Sequence, residues 1–90
     1  MTPANAEALA MRALAYLAGE PEQLGRFLAA TGIGPGDLRD RAADPDLLAA
    51  VLDHLLGDET LLLAFCESDG ADPVETGRAR VHLPGFMEPM

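Results

Sequence analysis

The chain lacks tryptophan and lysine altogether, and holds one cysteine, one tyrosine and three phenylalanines in 90 residues. Each shortage excludes something. A single cysteine cannot form an intrachain disulfide, so nothing argues for an oxidising compartment. Without lysine, positive charge rests on six arginines, at positions 12, 26, 39, 41, 78 and 80, against fifteen acidic residues and a net charge of −9. Nucleic acids and anionic membranes both need clustered positive charge. This pattern offers the reverse, so neither is expected as a partner. Long apolar runs are absent too, and no stretch approaches the roughly 18 residues a membrane-spanning helix needs. Glu7 and Arg12 interrupt the first apolar segment, unlike the continuous core of a signal peptide. A soluble cytoplasmic protein is the expectation.

What is present favours helices. The chain is 49% hydrophobic, too apolar for a disordered acidic segment. With few aromatics, the core must be mostly Leu and Ala, the leaders of the helix scale, while β-branched residues are scarce. Ninety residues make one domain.

Punctuation along the chain is legible. Proline is favoured at the first helical position after a capping residue, and five such pairs occur: Thr2-Pro3, Glu20-Pro21, Gly34-Pro35, Asp44-Pro45 and Asp72-Pro73. Gly19, Gly32, Gly57 and Gly70 each follow an apolar periodic segment and mark stops. Together they predict helices over about 4–18, 21–31, 35–42, 45–56, 58–68 and 73–82. Gly57-Asp58 reads as either a break or a bend. In the second helix Leu24, Phe27 and Leu28 are expected to face inward; the sixth is weaker, with Val74 and Val81 on one side and Gly77 between them. The fold class is all-α: a compact single-domain bundle of five to six short helices over 1–83, followed by an irregular tail over 84–90.

The run "LLLAFC", residues 61–66, is apolar all round a helix, which normally means a covered helix. Leu61, Leu62 and Phe65 can face a core. Leu63 is different, because Glu59 and Glu67 lie one turn away on either side, and Cys66 sits beside it at i+3. Three readings stay open. The sixth helix or the tail covers Leu63; or Leu63 and Cys66, with Phe86 and Met87 of the tail, form a contact surface; or Leu63 is an exposed leucine without a role.

Chemistry-bearing residues are sparse. His54 and Asp58 are four apart, but zinc wants three or four convergent ligands, and only Cys66 and His82 remain to supply them. Cys66 has acidic neighbours, Glu67 and Asp69, which disfavour a thiolate and suit a structural thiol. "GIGPG" lacks the preceding strand, the lysine and the Ser or Thr of a phosphate loop, and is turn chemistry. No catalytic site, metal or cofactor is expected.

Two resemblances add to this. Residues 6–85 resemble a family of small alphaproteobacterial proteins catalogued only as a domain of unknown function. The stretch "EALAMRALAYLAGEPEQLGRFLAATGIGPGDLRDRAADPDLLAAVLDHLLGDETLLLAF" carries the likeness, with "ARVHLPG" behind it. It implies a free-standing domain and transfers no activity. In addition, "FLAATGIGPGDLRDRAADPDLLAAVLDHLL" resembles the helix-turn-helix of TetR-type repressors, with Thr31-Gly32-Ile33 as the turn. The likeness departs where DNA would be touched: the usual aromatic and basic residues are replaced by Asp40-Arg41-Ala42. Carboxylates there repel a phosphate backbone. The function expected is therefore a non-catalytic protein–protein interaction module, monomeric or weakly dimeric, with a divergent DNA-binding regulator as the alternative.

Overall fold

The computed structural model describes residues 1–85. Six α-helices account for most of them: α1 Pro3–Ala18, α2 Pro21–Thr31, α3 Pro35–Asp40, α4 Pro45–Leu56, α5 Glu59–Asp69 and α6 Pro73–Val81. No strand occurs among the described residues. The Cα radius of gyration is 12.1 Å, matching the value of about 12 Å expected for a compact domain of this length.

The helix ends follow local chemistry. Every helix except α5 begins with proline, whose missing N–H costs nothing at that position. Four caps are closed by side chains that accept from otherwise unpaired N–H groups. Thr2 takes Asn5 N at 3.1 Å, Asp44 takes Asp46 N at 2.9 Å, Asp58 takes Leu61 N at 3.2 Å and Asp72 takes Val74 N at 2.8 Å. The Asp46 N–H, before the smaller effect of Arg41, holds the Asp44 carboxyl below its ordinary pKa. Gly32 and Gly70 stop α2 and α5 at φ 74° and 82°, a left-handed turn that any Cβ would strain. Gly57-Asp58 is a break rather than a bend, since Asp58 is extended at φ −139° and caps a new helix. α3 ends at Asp40, two residues short of expectation, where residues 41–43 form a turn.

α1 and α4 form the centre, and α6 packs closely on both. α1 supplies Leu9, Ala10, Ala13 and Leu17; α4 supplies Leu48, Val51, Leu52 and Leu55. α5 closes one side with Leu61 and Phe65, the Phe65 ring meeting Tyr16 edge-on at 5.8 Å. α2 closes another side. Its one fully buried residue is Phe27, edge-on to His54 at 5.4 Å. Leu24 and Leu28, expected inside, are only half-buried. α3 is the most loosely attached helix, anchored by Leu38 alone.

The side of α6 that carries its valines faces outward. Val74 and Val81 are 61% and 48% exposed, and the buried face is Thr76, Ala79 and Arg80. The reason is a long-range pairing. Arg80 Nε donates to Asp53 Oδ1 at 2.7 Å and Nη1 donates to the Leu83 carbonyl at 3.2 Å, tying α6 to α4 and to the turn that follows α6. The Thr76 hydroxyl donates to the Asp72 carbonyl at 3.3 Å, so its burial leaves no orphan. Pro84 and Gly85 form a turn, and the rest of the expected tail lies outside the described residues.

Candidate functional site

Of the residues singled out as a contact surface, Leu63 is 48% exposed: no described element buries it. Cys66 does not share its surface. One turn on from Leu63, it rotates toward α6 and is buried, with Sγ 3.8 Å from Thr76 Oγ1. A residue in that seam is packing, not a docking contact. Phe86 and Met87 lie outside the described residues. The structure adds two residues that the sequence had only grouped on one side of the sixth helix, Val74 and Val81. They are seven apart and so share the outer face of α6. Leu63 lies one turn before Cys66, the α5 residue that meets Thr76 of α6, which places it along the α6 side of α5. The outer surface of these two helices thus carries three half-exposed aliphatic side chains, with Glu59, Glu67 and Glu75 as exposed acidic neighbours in sequence.

A second feature was not foreseen. α1, α2 and α3 splay around a groove of about 560 Å³. Met11, Leu14, Ala15 and Ala18 form its floor, and Leu24 and Leu28 of α2 form one wall. Pro35, Leu38 and Arg39 of α3, with the Ala42-Ala43 turn, form the other. The groove exists because Phe27 holds α2 to the core on one face only, while α3 stands off on its single anchor. The signal in the sequence was a surplus: α2 carries Leu24, Phe27 and Leu28, and a helix of eleven residues at the domain edge buried only one of them. A smaller cleft of about 360 Å³ between α1 and α6 is of mixed polarity, lined by Asn5, Arg12, Glu75 and Arg78 among others. Arg12 is already engaged there, donating to Asp69 at 3.0 Å.

Titratable residues stay dispersed. Among the described residues, no three His, Cys, Asp or Glu side chains converge as metal ligands. His54 packs against the Phe27 ring, and Asp58 caps α5 through its own side chain. In the helix-turn-helix resemblance, the segment expected to read DNA is only six residues long, and Leu38 and Arg39 line the groove. No described helix is long and apolar enough to cross a membrane.

Residues 3–86 match the model of a family described as "Protein of unknown function (DUF3572)". No curated protein and no solved structure matches the chain.

Proposed function

The chain belongs to the DUF3572 family of unknown function, and we propose that it is a small, non-catalytic helical module of the cytoplasm that works by binding another protein. One observation carries the reading: α6 buries Thr76 and Arg80 and turns Val74 and Val81 outward. Covering a valine fully is worth about 1.5–3 kcal/mol, and this arrangement forgoes much of that in the free protein. A partner that covers the face recovers it. We take Leu63, exposed on the adjoining helix one turn before the Cys66–Thr76 contact, as part of the same face. The acidic surroundings and the charge of −9 favour a basic partner, attracted before contact and held by the apolar face afterwards.

Leu63→Glu tests this. The variant is expected to melt as the wild type does, within about 0.5 kcal/mol, because the position faces solvent. Its capture of lysate proteins, measured against the wild type with isotope labels, is expected to lose a defined subset, since a charge buried in an apolar contact has no counter-ion. An unchanged capture profile with an unchanged melt would remove Leu63 from any contact. A large loss of stability would mean that Leu63 is covered within the chain.

DNA binding is expected to be absent. Asp37, Asp40, Asp44 and Asp46 surround Arg39 and Arg41, and Arg41 is already paired with Asp44 at 3.2 Å. At roughly physiological salt, titration with random duplex should give no measurable complex. A micromolar complex that weakens steeply with added salt would establish the alternative.

A further inference from the structure

We propose that the groove between α1, α2 and α3 binds a single-chain amphiphile with an anionic head, a medium- or long-chain carboxylate, with Arg39 as the headgroup contact. This site is separate from the α5–α6 face. The lining supports an unbranched hydrocarbon: apart from Arg39, every residue facing the groove is Leu, Ala, Met or Pro. Such walls offer no side-chain partner to a polar group in the body of a ligand, and any such group would be desolvated without compensation. The volume of about 560 Å³ falls in the range typical of small-molecule sites, which pair apolar walls with a few orienting polar groups.

Charge selects the head. Arg12, Arg26, Arg41 and Arg80 all form salt bridges; Arg39 and Arg78 form none among the described residues, and of these two only Arg39 lines this groove. Of the nearby acids, Asp37 turns back over the start of α3, its Oδ2 lying 3.8 Å from where a Cβ on Gly34 would stand. Asp40 is exposed and does not line the groove, Asp44 is held by Arg41, and Glu7 lies one turn before Met11, outside the lining. A guanidinium is thus the one charge at the edge of the apolar walls, matched to a carboxylate by geometry as well as sign. A cationic head meets no carboxylate in the lining. α3, held by Leu38 alone, and the flexible Met11 side chain let the walls adjust to chain length.

Calorimetric titration with sodium dodecanoate, decanoate, dodecanol and dodecyltrimethylammonium, each below its micellar concentration, tests the assignment. Dodecanoate is expected to bind, with decanoate weaker by about tenfold for the two methylenes lost. The ammonium amphiphile should bind at least about tenfold more weakly than dodecanoate. Arg39→Gln, an exposed substitution, should weaken dodecanoate about tenfold and leave dodecanol unchanged. Ala15→Leu, which fills the floor, should abolish both, with its melting curve confirming the fold. Equal binding of the cation, indifference to Arg39→Gln, or dodecanoate binding that survives Ala15→Leu would each overturn the proposal. So would a dimer in sedimentation that Ala15→Leu disperses, which would give the groove to a second copy. If none of the four amphiphiles binds, the proposal fails, and the α5–α6 reading stands untouched because its variant and readout are different.

Discussion

Replacing Phe27 with alanine is expected to destabilise the protein by about 3–5 kcal/mol, the range for a buried phenylalanine truncated in a core that relaxes only partly. The position is severe for a specific reason. Phe27 is the one fully buried residue of α2, and its ring edge against His54 of α4 is where that helix meets the centre of the bundle. Leu24 and Leu28 cannot substitute, because they face the groove and are already partly in water. A domain of this size has roughly 5–15 kcal/mol in total, so the variant should be marginal. Its melting temperature should fall by more than about 10 °C. Urea titration showing a loss under about 1 kcal/mol would mean that α2 is held by the groove leucines after all.

Arg80→Ala should cost about 2 kcal/mol, within the range for hydrogen bonds to charged groups, with lost packing of the arginine stem included. Arg80 is only 7% exposed, whereas the Asp53 side chain is 59% exposed. Water therefore screens the ion pair from the aspartate side, and pure Coulomb attraction is the smaller part. The larger part is the buried stem and the hydrogen bond to the Leu83 carbonyl. Two results follow. The loss should persist in 1 M salt, where the Debye length is about 3 Å. Asp53→Asn, which keeps an acceptor, should cost less than Arg80→Ala. If high salt erases the difference between wild type and Arg80→Ala, the contact is an ion pair and little else.

The contrast between α5 and α6 shows what sequence could disclose. Helix ends were legible because their chemistry is local: proline at the first position, aspartate at the cap and glycine at the stop all act within four residues. Local chemistry also marked Leu63 as unusual, since Glu59 and Glu67 flank it one turn away, but it left open whether another element covers that side chain. Which face of α6 packs inward was not legible either. Apolar patterning ranks valine above threonine and arginine as a core residue, and that ranking fails where Asp53, 27 positions away, accepts the arginine. The same limit hid the groove. Leu24 and Leu28 have the right period for burial, but whether a wall stands opposite them depends on how far α3 docks. Cys66 shows the lesson within a single turn: it is three residues from Leu63, and that offset moves it from the surface into the α5–α6 seam.

Hydroxyl-radical labelling of side chains, read by mass spectrometry, tests most directly whether the α5–α6 face is a binding surface. In buffer, Leu63, Val74 and Val81 should all be modified, as their exposure requires. In concentrated lysate of the source organism, with an equal mass of albumin as the crowding control, modification of these three should fall severalfold. Met1 should change little, although it is exposed to the same degree as Leu63 and Val81. Equal labelling of Leu63, Val74 and Val81 in lysate and in albumin would contradict the proposal that this face binds a protein.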